Sequence, residues 1–253
     1  MSRQEDKPTM EGDEGADGGG PSVSDRPMKA ADPEAPGPDH RPVVAFDFDG
    51  TITRKDTLRL FLTRIRSRRT VASTFLRHAP QLALALQGGQ ARDRAKALIC
   101  LDVLGGLTRT EAESAAADTA EAIKRSLIRT DTSARIRWHQ AAGHRIIVVS
   151  ASFEAYVKIV AASLGIDEVI ATGWEVDPTQ EVLTGRLAGA NVRGDAKVDL
   201  IASHIHGPCD LAYAYGNSSG DAAMLARATH PIWVGRRHMP ELLEEPPAGD
   251  SIQ

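Results

Sequence analysis

The chain has 253 residues, a formal net charge of −4, 42% hydrophobic residues and only 4% aromatic ones. That length fits one large domain or two modest ones, with enough aliphatic residues for a sizeable core. The near-neutral balance argues against a surface that coats nucleic acid. Cys100 and Cys209 form no CxxC pair, so neither a disulfide scaffold nor a structural zinc is expected, and a reduced, cytoplasmic setting is.

Residues 1–40 carry ten acids against four bases, with six Pro, six Gly, no aromatic residue and Val23 as the one branched aliphatic. Such a segment cannot bury enough surface to offset chain entropy, so an acidic disordered arm is expected. It has no basic start followed by an apolar stretch, so no secretory signal is expected. No apolar run approaches the roughly 18 residues that span a bilayer. Pro42-Val43-Val44-Ala45-Phe46 reads as a buried strand that ends in Asp47-Phe48-Asp49-Gly50-Thr51. From Thr57 to about Ala142 the pattern turns helical, with stretches near 71–86, 91–104 and 108–128 separated by Gly88-Gly89 and Gly105-Gly106.

The strand pattern returns at Arg145 to Ser150, followed by a helix from Phe153 to Leu164 and a third strand from Glu168 to Thr172. Trp174-Glu175-Val176 and Val182 to Leu187 alternate around Asp177-Pro178, which suggests a hairpin. A helix from Asp195 to about His204, a strand Leu211 to Tyr215, a helix Ser219 to Ala228 and a strand Ile232 to Gly235 complete the pattern. Strands alternating with helices imply an α/β, Rossmann-like doubly wound parallel sheet. The helical block after the first strand is then an inserted cap. The expected division is a 1–40 arm, an α/β core of 41–56 and 132–238, a helical cap of 57–131, and a flexible tail of 239–253.

In open parallel sheets the ligand crevice lies at the carboxyl ends of the strands. Four polar clusters fall there: Asp47/Asp49, Ser150, Lys197 at a helix start, and Gly216-Asn217-Ser218-Ser219-Gly220-Asp221. Two carboxylates two residues apart can divide labour as nucleophile and acid/base when their environments separate their pKa values. A plain Asp-Gly turn would explain Asp49-Gly50 but not Asp47. A calcium loop starting at Asp47 would need Glu where Leu58 stands. His204 and His206, with one residue between them at a helix end, read as solvated surface.

Asp47-Phe48-Asp49-Gly50-Thr51-Ile52-Thr53 resembles the first motif of the haloacid dehalogenase superfamily, and the other clusters follow in the order of its remaining motifs. The helical insert after the first motif is similar to the phosphoserine phosphatase-like branch, subfamily IB. The resemblance covers about residues 42–237. It implies a phosphoric monoester hydrolase in which Asp47 attacks phosphorus to form an aspartyl-phosphate and Asp49 is the general acid/base. Ser150 and Lys197 would bind the phosphate. Asp47, Asp49 through its main-chain carbonyl, Asn217 and Asp221 would hold Mg²⁺. The family's fourth motif has Asp where Asn217 stands, so metal affinity would lean on Asp47 and Asp221. The implied partner is a small or lipid-linked phosphomonoester such as phosphoserine, with no nucleic acid. A phosphatidylglycerophosphate-type lipid phosphatase, a phosphotransferase or mutase, and a catalytically weak phosphate-binding scaffold stand as alternatives. The cap bases Arg64, Arg66, Arg68, Arg69, Arg77, Arg92, Arg94 and Lys96 read mostly as a solvated face. They leave peripheral membrane contact open, and the sequence does not give the oligomeric state.

Overall fold

The computed structural model describes residues 40–86, 88–235 and 239. The expected acidic arm and most of the tail lie outside the described residues. Six strands form one sheet: β1 (Val43–Phe46), β2 (Arg145–Phe153), β3 (Glu168–Asp177), β4 (Val182–Ala188), β5 (Leu211–Gly216) and β6 (Ala228–Trp233). They lie in the order β4-β3-β2-β1-β5-β6, all parallel except the antiparallel edge pair β3–β4. Strand order runs outward from β1 in both directions, which is the doubly wound arrangement the alternating pattern implied.

Both faces of the central strands are buried, and the period of two sorts their side chains. Val44, Phe46, Val148 and Tyr215 point to one core, while Ala45, Ile147, Val149 and Ala214 point to the other. The first core lies against the helices inserted between β1 and β2. These are α1 (Leu58–Ile65), α2 (Arg68–Arg77), α3 (Ala79–Ala85), α4 (Gly89–Leu104), α5 (Arg109–Ser126) and α6 (Thr130–Ala141). Phe61 of α1, fully buried, stacks on Trp174 of β3. Thr108 and Glu111 close a reciprocal capping box at the start of α5. The second core is covered by α8 (Asp195–Ile205) and α9 (Ala222–Leu225), with α7 (Glu154–Ser163) following β2 on the first face.

Four details depart from the sequence pattern. The expected third strand and the first arm of the hairpin are one continuous strand, β3, because its upper half leaves β2 to pair with β4. The helix expected over 71–86 breaks at His78, and Pro80 sits in the first turn of α3. The helix expected from Ser219 to Ala228 contracts to Ala222–Leu225, because Ser218 to Gly220 form the turn that folds back onto Asp221. The last strand starts at Ala228 rather than Ile232, pairing with β5 from Leu211 onward.

Candidate active site

The parallel register of β1 and β5 sets Phe46 opposite Tyr215, and the Asp47 N–H donates to the Tyr215 carbonyl at 2.9 Å. The ends of the two strands therefore stand side by side at the point where the strand order reverses. After β1 the chain turns through Phe48–Ile52, with Gly50 at φ 81°, a conformation that suits glycine. Gly50 serves a second purpose: a Cβ there would lie 1.8 Å from Asn217 Nδ2. Only a hydrogen at this position lets the Asn217 amide approach the Asp49–Gly50 backbone.

Asp47 is 7% exposed. Its Oδ1 accepts from Lys197 Nζ at 2.7 Å and its Oδ2 from Thr51 Oγ1 at 3.2 Å. Burial pushes its carboxyl up to about 6, against the opposing pull of the Lys197 charge. Lys197, at 1% exposure, spends all three ammonium hydrogens. They go to Asp47 Oδ1, Asp221 Oδ1 and the Val149 carbonyl, each at 2.7 Å. Burial alone would favour a neutral amine, but the two carboxylates outweigh it and hold the ammonium above its ordinary range. Asp221 Oδ2 takes the N–H groups of Asn217 and Ser218 and the Ser218 hydroxyl. Burial tends to raise the Asp221 carboxyl, but the Lys197 charge outweighs it and holds the group below its ordinary value.

Asp49 is held by different groups. The N–H and Oγ1 of Thr57 donate to its Oδ1 at 2.8 and 2.7 Å, and the Ser152 hydroxyl donates to its Oδ2. Tyr156 Oη lies 3.1 Å from Thr57 Oγ1, behind this ring. Burial raises the Asp49 carboxyl to about 7, helped by the charge of Asp56. Ser150 is buried and its Oγ accepts the Ser152 N–H at 3.0 Å. Its own O–H remains available as a donor.

Asp47, Asp49, Ser150, Lys197, Asn217 and Asp221 all line one cavity of about 620 Å³. Arg54, Lys55, Arg92, Lys96, Arg129 and Arg193 line it as well. Several of its residues carried no readable signal. Ser152 precedes α7, which Phe153 caps without a side-chain bond, and the Ser152 hydroxyl serves Asp49 instead. Lys96 belongs to the cap bases expected to be solvated. Instead it reaches from α4 to the Ala151 carbonyl and Asn191 Oδ1, and Asn191 Nδ2 donates back to Asp93 of α4 at 2.6 Å. Burial pushes its ammonium down to about 8. His204 pairs with Glu168 at 2.8 Å, away from the cavity lining.

Three oxygen donors among the residues lining this cavity would suit a hard cation completed by water. They are the Asp47 carboxylate, the Asn217 amide and the Asp49 main-chain carbonyl. Among the described residues no group of three or more His, Cys, Asp or Glu side chains is arranged to hold a metal, so such a site would be poor in charge. Asp221 has both oxygens engaged with Lys197 and its own turn.

A model of haloacid dehalogenase-like hydrolases matches residues 44–226. Protein CicA of Caulobacter vibrioides is 37% identical over 191 residues, covering 75% of this chain and 84% of that protein. A protein of unknown function from Bordetella pertussis Tohama I superposes with a TM-score of 0.65 at 22% identity, covering 77% of this chain and 90% of the other. A substrate-bound phosphoserine phosphatase superposes with a TM-score of 0.51 at 22% identity, covering 75% of this chain and 84% of the other. The chain belongs to the haloacid dehalogenase-like hydrolases and has a fold like that of the phosphoserine phosphatases.

Proposed function

We propose that the protein is a Mg²⁺-dependent phosphomonoesterase of the cytoplasm that works through a covalent aspartyl-phosphate on Asp47. The observation that carries this reading is the pairing of two unlike carboxylates in one cationic cavity. Asp47 is fixed by an ammonium, and Asp49 is fixed by neutral hydroxyl and amide donors. Family membership supports hydrolysis.

In this reading an Asp47 carboxylate oxygen forms a bond to phosphorus as the ester P–O bond breaks. Asp49 delivers its proton to the departing alkoxide. Thr57 and Ser152 hold Asp49 through both oxygens and aim it. Deprotonated Asp49 then takes a proton from the water that attacks phosphorus, which releases phosphate and restores Asp47. Lys197 keeps Asp47 in place and offsets charge as the phosphoryl group transfers, with the Ser150 hydroxyl donating to a phosphate oxygen. Asp47, the Asp49 carbonyl and Asn217 would hold Mg²⁺, with Asp221 fixing Lys197 and the Asn217 turn rather than ligating directly. Mg²⁺ bound there screens the repulsion between an anionic nucleophile and an anionic phosphate.

The test is phosphate release from a panel of phosphomonoesters with and without Mg²⁺, run beside Asp47→Asn. Turnover that needs Mg²⁺ and disappears in Asp47→Asn is the expected result. A fully active Asp47→Asn protein removes the nucleophile assignment.

A further inference from the structure

The catalytic cavity does not end at its cations. A second cavity, of about 510 Å³, adjoins it, and Asp56, Leu58, Arg92, Lys96 and Arg193 line both. Beyond these shared residues its wall is mainly aliphatic and aromatic, with Leu62, Phe75, Leu82, Leu86 and Ile99 beside the one further charged residue, Arg59. A space with an aliphatic wall that opens directly off the charge-lined catalytic cavity suits an amphipathic ligand.

The surface around it points the same way. Helix α3 carries no charged residue and no buried one. Leu76, Leu84 and Leu86 on and beside it are 78, 55 and 89% exposed. Single exposed leucines are ordinary, but three in one short stretch beside an apolar cavity form a patch. Residues 58–104 hold nine bases against two acids, Asp93 and Asp102. That imbalance favours an anionic ligand or an anionic surface. The segment that carries this apolar patch therefore holds seven more bases than acids.

We infer that the cavity between α1, α2, α3 and α4 receives the hydrocarbon tail of the substrate, so that the enzyme acts on phosphomonoesters bearing an acyl or alkyl chain. This inference rests on the phosphomonoesterase reading above and names the substrate class for it. The phosphate lies at Asp47, Arg92 and Arg193 flank the polar head at the junction of the cavities, and the chain lies against Leu58, Leu62 and Phe75. Leu86 closes the outer end.

The experiment compares kcat/KM of the full chain with Mg²⁺ on glycerol 3-phosphate, phosphoserine and a series of 1-acyl-glycerol 3-phosphates of rising chain length, kept below micelle formation. Burial of each added methylene should raise kcat/KM roughly two- to fourfold until the cavity is filled. Leu86→Asp, at a position exposed enough to spare the fold, should lower the acyl-to-glycerol ratio at least about tenfold. A flat chain-length series with active hydrolysis of the short compounds overturns the tail site and leaves the phosphatase reading standing. Calorimetric binding of the same series to Asp47→Asn separates the two: chain-dependent binding with no hydrolysis of any compound by the wild type supports the tail site and removes the phosphatase reading. A dimer in sedimentation that Leu86→Asp disperses puts a second copy of the chain on the patch and overturns the assignment.

Discussion

Replacing Lys197 by Met keeps the length of the side chain and removes its charge and its three donors. The ammonium is 1% exposed and bonded at 2.7 Å to two carboxylates and a carbonyl. Its loss strands Asp47 and Asp221 as buried, uncompensated acids. Removing one member of a buried ion pair costs about 3–5 kcal/mol, a large share of the roughly 5–15 kcal/mol that holds a domain together. For a domain of this size that corresponds to a fall in Tm of roughly 6–20 °C. The deficit must depend on pH. In the variant the folded state favours protonated Asp47 and Asp221, so their folded pKa values rise above the unfolded value of 3.8. A carboxylate raised on folding stabilises at low pH and loses that contribution as pH rises. Urea denaturation of wild type and Lys197→Met at about pH 5 and about pH 8 should show the larger gap at the higher pH. Asp221→Asn should recover part of the loss in the Lys197→Met background, because only one acid is then left unpaired. A Tm within about 2 °C of wild type, or a gap that ignores pH, would refute the reasoning.

Two further outcomes follow from other residues. His139 is fully buried between His144 Nδ1 and Tyr215 Oη, each 2.8 Å away, and burial drives its imidazole down to about 3. The unfolded chain then binds a proton between about pH 6.5 and about 3 that the folded chain refuses. Stability should fall as pH drops through that window, by up to about 1.4 kcal/mol per unit, and His139→Gln should flatten the slope in urea titrations. Asn217→Asp places a charge beside Gly50 where the amide now stands. It should lower the Mg²⁺ concentration for half-maximal activity roughly tenfold, and thermal shift under Mg²⁺ titration should track the same change.

The parts of this architecture legible in the sequence are those fixed by backbone chemistry. A parallel strand buried on both faces reads as an unbroken apolar run, so Val43–Phe46 and Ile146–Val149 announced themselves. The polar residues ending those runs marked the crevice, and the structure brings Asp47, Asp49, Ser150, Lys197, Asn217 and Asp221 to one cavity. Roles that depend on packing were not legible. Lys96 sits among seven arginines with the same local pattern, and only the approach of α4 to Asn191 sets it apart. Ser152 and Thr57 converge on Asp49 from positions 95 residues apart, a distance that local periodicity cannot see. The shortening of α9 has the same origin, since the Ser218–Asp221 turn spends its hydrogen bonds on the site rather than on a helix.

The salt bridge between Asp47 and Lys197 joins residues 150 positions apart. Lys197 also ties the middle of β2, through Val149, to Asp221 after the turn that follows β5. No continuous half of the chain contains the cluster, so its charges neutralise one another only after β1, β2 and β5 have docked. Pairing of such high sequence separation forms slowly and late in folding. A fragment released between α5 and β2, or a chain stalled before residue 197 during synthesis, therefore carries Asp47 without its cation. Two such fragments, expressed separately and mixed, would regain the buried ion pair only by rebuilding the whole sheet, which makes recovered turnover a strict readout of complete assembly.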